Sequence, residues 1–277
     1  MTGTPRTVLV VGATGSIGRL VVAEAIAQGY TTRALVRDPS KGRQLLANAQ
    51  LVVGDVTRPD TLPAAVDGVD AVVLTLGSDG AGKVGAETVD YGGVRSILAA
   101  VGTRPVRIAL MTSIGITNRT GAYNRSTQAH DWKRRSERLV RASGHPYTIV
   151  RPGWFDYNTP NQQRLTLLQG DTRQAGDSSD GVIARRQIAQ VLVASLASDA
   201  ANRKTFELVA EHGPAPEELD PLFAALEPDP PGALDGVHDR DNMPPADEPQ
   251  RVRDDLEAVV VTQSRNVRSR TPREEHP

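Results

Sequence analysis

Thr7-Val8-Leu9-Val10-Val11-Gly12-Ala13-Thr14-Gly15-Ser16-Ile17-Gly18-Arg19 is an apolar, β-branched run that meets three glycines and passes at once into a helical pattern. Residues 7–11 suit a strand buried on both faces of a parallel sheet. From Ser16 onward, Ile17, Leu20, Val21, Ala25 and Ile26 recur at three- and four-residue steps, and Gly29 closes the helix. Gly12, Gly15 and Gly18 strip the Cβ atoms from the turn between, so its amides and the helix N-terminus can close on a pyrophosphate. Thr14, Ser16 and Ile17 lie in the same turn and complete the expected contact set. A tight strand-to-helix turn that binds nothing is the alternative.

Working outward, residues 31–36 alternate as a second strand that ends at Arg37-Asp38-Pro39-Ser40-Lys41. In a unit of this kind the residue just past the second strand faces the adenine ribose, where an acid holds a free 2′-hydroxyl and an Arg accommodates a 2′-phosphate. Arg37, backed by Lys41, therefore points to NADP(H), because a guanidinium grips phosphate bidentately. Asp38 is the argument for NAD(H), the less favoured cofactor, and both basic residues also read as plain loop charges. A third strand over 49–56 ends at Asp55 and Val56, with Asp55 equally suited to a turn or N-cap. A fourth over 69–77 ends at Leu76-Gly77, beside the expected nicotinamide-side phosphate or ribose, and the glycine-rich residues 78–85 read as a mobile loop. Helix over 87–101, strand over 106–111, helix over 128–143, strand through Tyr147, helix over 183–198 and strand over 204–209 complete the alternation. The pattern is α/β, a Rossmann-type doubly wound parallel sheet. Ligands bind beyond the carboxyl ends of such strands, which places Thr112 or Ser113 to donate to a substrate carbonyl.

The G-x-x-G-x-x-G spacing of Gly12, Gly15 and Gly18 departs from G-x-G-x-x-G and resembles the short-chain dehydrogenase/reductase superfamily, in particular its atypical NmrA-like and NAD(P)H-binding reductase branches. Lys133, Glu137, Leu139, Ser143-Gly144 and Tyr147-Thr148-Ile149-Val150-Arg151-Pro152-Gly153 resemble a second, independent series of the same superfamily. Gly54-Asp55-Val56 and Val89-Asp90-Tyr91-Gly92-Gly93 add two shorter matches, and the resemblance runs from about Thr7 to Ala210. It implies that Asp55 sits by the adenine amino group, that Ser113 orients the reacting oxygen and that Lys133 holds the nicotinamide ribose. The superfamily's usual acid is the Tyr of Tyr-x-x-x-Lys, and four residues before Lys133 this chain has Ala129. Three readings follow: Lys133 moves the proton itself; a neighbour substitutes, with His130 first because imidazole titrates near working pH and Tyr123 and Tyr157 next; or the site performs no chemistry. Arg134 and Arg135 read as a solvated helix face. After the R-P-G turn the resemblance implies a substrate region lined by Trp154, Phe155 and Tyr157, for which a core plug is the alternative.

The remaining bounds come from composition. The 277 residues carry 32 Lys and Arg against 33 Asp and Glu, a net charge of −1 that gives no basic footprint for nucleic acid. There is no cysteine, hence no disulfide, thiolate chemistry or cysteine-based metal site, and no metal is expected. Nothing reads as a signal peptide or membrane span, so a cytoplasmic protein with a small-molecule substrate is the expectation; the sequence does not indicate an oligomeric state. Of 19 prolines, 11 follow Gly213, where the chain turns acidic and poor in apolar residues. We divide it into an NAD(P)-binding domain over 1–212, with its substrate region from about 153, and an extension over 213–277. That extension should be extended or disordered apart from a short helix over 219–226, ending in the charged residues 265–277. The expected function is an NADP(H)-dependent oxidoreductase acting on a small carbonyl, quinone or conjugated double bond. The alternatives are a non-catalytic NmrA-like NADP(H) sensor, or an epimerase or dehydratase on the same scaffold.

Overall fold

The computed structural model describes residues 6–46, 48–78 and 80–270. Strands and helices alternate as β1 (Thr7–Val11), α1 (Gly18–Ala27), β2 (Thr31–Val36), α2 (Pro39–Leu45), β3 (Gln50–Val53), α3 (Pro63–Val66), β4 (Ala71–Leu74), α4 (Gly82–Gly85), α5 (Gly92–Val101) and β5 (Arg107–Met111). Then come α6 (Ala122–Thr127), α7 (Ala129–Ala142), β6 (Tyr147–Pro152), β7 (Trp154–Phe155), β8 (Arg164–Leu168), β9 (Val182–Ile183), α8 (Arg185–Ala194), β10 (Lys204–Glu211), α9 (Asp220–Ala224) and α10 (Gln250–Arg270). The sheet order is β3-β2-β1-β4-β5-β6-β10, parallel throughout; β8 adds antiparallel to the far edge of β10, while β9 pairs antiparallel with Ala210 on the β6 side and carries β7. This is the doubly wound Rossmann-type architecture that the alternation predicts.

Strand periodicity of two explains both layers. Val8 and Val10 face one side of the sheet and pack with Val21 and Ala25 of α1 and with Ile188 and Leu192 of α8. Leu9 and Val11 face the other and join Val94 and Ile97 of α5 and Leu139 of α7. All four β1 residues are fully buried, so a one-residue slip would exchange the two cores without exposing either.

Two expectations are corrected. Residues 78–85 are not all loop: α4 covers Gly82–Gly85 and runs into a π-helical turn, Ala86–Tyr91, while Asp79 lies outside the described residues. The described residues after Gly213 are irregular over much of their course but are neither loose nor extended throughout. They carry the 21-residue helix α10, whose Val252 enters the second core with Leu256 and Val259 against it. Asp255 of α10 accepts from the Tyr91 hydroxyl at 2.8 Å and pairs with Arg95 at 3.2 Å. Residues 271–277 of the expected charged ending lie outside the described residues.

Arg134 and Arg135 were expected in solvent, yet Arg134 is fully buried and Arg135 nearly so, with Arg138 and Arg141 beside them. The counter-charges come from the C-terminal segment. Arg134 and Arg138 share Asp235 at 2.8 and 2.7 Å, Arg135 pairs with Glu248 at 2.5 Å, and Arg141 with Asp229 at 3.0 Å. Arg151 on β6 binds Glu137, Glu207 and Asp239 at 2.7, 3.1 and 2.7 Å, all of them buried. Buried charges survive only when paired in this way.

Three carboxylates divide one Arg151, and Glu207 is the least compensated. Burial pushes its carboxyl up to about 7 against the pull of Arg151, and Asp171 adds to the rise. For Asp239, burial acts in the same sense but the Arg151 charge and its hydrogen bonds prevail, holding the carboxyl below the usual range. A group raised in the folded state stabilises most below its unfolded value and loses that contribution as pH climbs through the folded one. The Glu207 contribution to stability is therefore expected to fall as pH rises from about 4.5 to about 7. Glu207→Gln should flatten this slope in thermal melts; an unchanged slope in the variant refutes the assignment.

Candidate active site

The glycine turn joins β1 to α1 with its backbone drawn into contact. Gly12 has φ of +85°, and a Cβ there would meet the Thr75 carbonyl oxygen at 2.7 Å. A Cβ on Gly18 would lie 2.1 Å from the Gly12 carbonyl oxygen. The Gly15 amide donates to the Gly12 carbonyl at 2.9 Å, and the Thr75 hydroxyl to the Val11 carbonyl at 3.1 Å, which fastens the turn to the end of β4. No side chain caps α1 and its first turn holds no acid, so nothing competes with an anion at that helix end. Gly15 and Ser16 are exposed, Thr14 is half-buried, and Ile17 is turned into the core. These features fit a dinucleotide phosphate.

At the ends of β2 and β3 the structure brings Arg37 and Asp55 together. Burial works the other way, but hydrogen bonds from the Thr57 amide and hydroxyl, together with the Arg37 and Arg58 charges, hold the Asp55 carboxyl below the usual range. Those Thr57 bonds, at 2.9 and 2.8 Å, make Asp55 a turn residue. Asp38 caps α2 by accepting from the Ser40 and Lys41 amides at 2.8 and 3.3 Å, whereas Arg37 and Lys41 are exposed. Val56 and Leu76 both press on Gly93, where a Cβ would lie 3.0 and 2.6 Å from them; Gly77 beyond is exposed.

The other half of the site gathers where β5 ends and α7 begins. Thr112 and Ser113 diverge: the Thr112 hydroxyl donates to Glu137 at 2.7 Å within the buried network, while Ser113 Oγ is buried with no hydrogen-bond partner. His130 lies on the first turn of α7 against Gly115, and its Nδ1 is likewise buried and unpartnered. Burial lowers the His130 pKa; a hydrogen bond to the Asn118 carbonyl opposes this, the Lys133 charge adds to the lowering and Asp131 opposes it. One turn on, Lys133 Nζ donates to Asp90 at 3.1 Å, and Asp90 also accepts from the Ser78 hydroxyl at 2.8 Å, so the lysine is tied to the loop after β4. Ala129 is buried. The Tyr123 ring lies 5.1 Å from that of His130, centroid to centroid.

The aromatic trio sits apart from this group. Trp154 and Tyr157 are exposed and meet edge-on at 6.3 Å, whereas Phe155 is partly buried against the core with Arg185 over its ring at 5.5 Å. No described contact joins them to Ser113, His130 or Lys133. Asp171 was not anticipated at all: it accepts from the Gly115 and Thr117 amides, both at 2.6 Å, and so fixes the loop after Ser113. No grouping of metal-ligating side chains occurs among the described residues, and no described helix is long and apolar enough to cross a membrane.

Comparison with known proteins agrees with this geometry. The family profile described as NAD(P)H-binding matches residues 12–199. A sugar epimerase of Bacillus subtilis, YhfK, itself uncharacterized, is 29% identical over 220 residues, covering 78% of this chain and 99% of that protein. The NAD(P)H azoreductase of Xenophilus azovorans is 33% identical over 193 residues, covering 68% of this chain and 63% of its own length. Among solved structures, the oxidoreductase ylbE of Lactococcus lactis superposes with a TM-score of 0.65 at 18% identity, over 80% of this chain and 98% of that one.

Proposed function

We propose, since this chain belongs to the NAD(P)H-binding family, that it is an NADP(H)-dependent oxidoreductase acting on a small carbonyl, quinone or conjugated acceptor. The observation that carries the reading is the pair of buried, unpartnered polar atoms, Ser113 Oγ and His130 Nδ1. A desolvated polar atom without a partner costs free energy, and a bound acceptor would relieve both. The nicotinamide cofactor supplies hydride when bound. The chain's own groups do the rest: the turn from Gly12 to Gly18 seats the phosphates, Arg37 and Lys41 take the 2′-phosphate, and Asp55 with Val56 borders the adenine. Leu76 and Gly77 border the nicotinamide side. Lys133, fixed by Asp90, holds the ribose; Ser113 orients the acceptor oxygen. The proton reaches that oxygen from Lys133 Nζ, or from His130 Nδ1 when the imidazole is protonated, a form that burial disfavours. Trp154, Phe155 and Tyr157 are assigned to an outer part of the substrate region.

The cofactor preference follows from Asp38 being engaged as a cap while Arg37 stays exposed. Calorimetric titration should show NADPH binding about 100-fold more tightly than NADH, a margin of ~2.7 kcal/mol typical of charge-assisted phosphate contacts. Arg37→Ala should erase most of that margin and leave NADH binding unchanged; equal loss for both nucleotides sinks the assignment. A nucleotide sensor is the second reading, favoured by Ala129 in place of the usual acid. It requires tight NADPH binding with no oxidation across a panel of quinones and carbonyls.

A further inference from the structure

Beyond residue 199 the chain leaves the region matched by its family, yet one residue there reaches the loop that shapes the site. Asn242 Nδ2 donates to the Thr117 carbonyl at 3.0 Å, and its Oδ1 accepts from Arg134 Nη1 at 2.5 Å. Its own carbonyl accepts from Arg119 Nη1 at 2.7 Å. From the opposite side, Asp171 holds the Gly115 and Thr117 amides and the Thr117 hydroxyl at 2.6, 2.6 and 2.8 Å. The loop following Ser113 is thus clamped between an internal carboxylate and the C-terminal segment.

What the clamp fixes is the setting of His130. The Asn118 carbonyl, flanked by the two residues that Asn242 binds, acts on the titration of the His130 ring, and Gly115 at the start of the same loop lies against that ring, where an added Cβ would be 3.7 Å from Cε1. Arg119 continues to Asp131 at 3.2 Å, and Asn124 joins the Arg119 carbonyl and Asp131, both at 3.0 Å. The groups around the imidazole are therefore Lys133 and Asp131 on its own helix, the Asn118 carbonyl on the loop, and the Tyr123 ring on α6. Among the described residues after Gly213, Asn242 is the one hydrogen-bonded to this loop; the ion pairs of Asp229, Asp235 and Glu248 secure the segment to α7 without touching it.

We propose that the C-terminal segment is part of the working site, with Asn242 as the positioning residue that holds residues 117–119 against His130. This rests on the reading of Ser113 and His130 as the pair that meets the acceptor. Its removal would let the loop relax and turn the imidazole away from the acceptor, while the nucleotide seat at the ends of β1 to β3 is untouched.

Two full-length variants test it. Asn242→Asp keeps an acceptor for Arg134 but loses the N–H that binds the Thr117 carbonyl, and Asn242→Leu loses both. We would follow NADPH oxidation with menadione as the quinone probe, thermal melting, and the His130 titration by NMR, assigned with His130→Gln. Both variants should lose about tenfold in kcat, within the ~100-fold that a 1 Å misplacement can cost. The KM for NADPH should stay within about twofold, as expected when ground-state binding is untouched. The His130 midpoint should rise toward that of an ordinary histidine as the loop opens the ring to water. The proposal is overturned if the midpoint and kcat hold in both variants, or if kcat falls only with the folded fraction. Should the wild type oxidise NADPH with no member of the quinone and carbonyl panel, the functional reading fails by itself, and the His130 midpoint in the variants still decides whether Asn242 positions the ring.

Discussion

Gly18→Ala is expected to abolish nucleotide binding, weakening NADPH by at least ~100-fold in calorimetry, or ~2.7 kcal/mol. An added Cβ would sit 2.1 Å from the Gly12 carbonyl oxygen, 2.7 Å from its carbon and 2.9 Å from the Ala13 Cα. All three are backbone atoms, so no side-chain rotation relieves the clash. The turn must open, and Gly12 is itself confined by the Thr75 carbonyl on the neighbouring strand. Gly15→Ala is the control, because its Cβ would meet only the Gly12 carbonyl, at 3.1 Å. It should be milder, and equal losses in the two variants would mean that the turn is not what seats the phosphates.

Arg151→Met should be the most destabilising substitution in the chain, lowering the free energy of unfolding by about 3–5 kcal/mol in denaturant titration. The fully buried guanidinium makes five hydrogen-bonded contacts, to Glu137, Glu207 and Asp239. Methionine fills much of the volume but leaves three carboxylates in a dry interior. Glu137 keeps Arg141, but Glu207 and Asp239 must then ionise without an ion-pair partner or take up protons, so the loss should shrink as pH falls. Arg151→Lys should rescue little, since an ammonium cannot present the planar fork that reaches Glu137 and Asp239 together. A loss below about 1 kcal/mol, the range of exposed pairs, would show that the network contributes no more than surface charge.

The Rossmann core was legible because its signals are local. The run Val8–Val11, the three glycines after it and the strand at Thr31–Val36 each announce themselves within a few residues, through β-branching, missing Cβ atoms or alternation. Ser113, His130 and Lys133 could be named for the same reason, since they stand at the carboxyl end of a strand and on one helical turn. The charged face of α7 misled because a dense run of arginines on an amphipathic helix ordinarily faces water. What buries it is a set of acids 88 to 113 residues further along, which no periodicity connects to it. Asn242 gave even less warning, as a lone amide in a proline-rich stretch. Asp171 could have been suspected only from its position after β8, where a left-handed backbone with φ of 47° marks a constrained turn.

The counter-charges of α7 also bear on how the chain is made. Helix α7 and strand β6 leave the ribosome long before Asp229, Asp235, Asp239 and Glu248 exist to neutralise them. Until then the arginines have Glu137 and Glu207 alone, and the half of the sheet that packs on α7 cannot close dry. Synthesis is thus expected to pass through an open, cationic intermediate whose closure waits for residues 229–248, a long-range step of the kind that slows folding. A fusion or truncation that delays those acids would prolong that intermediate, and aggregation during expression should be its first symptom.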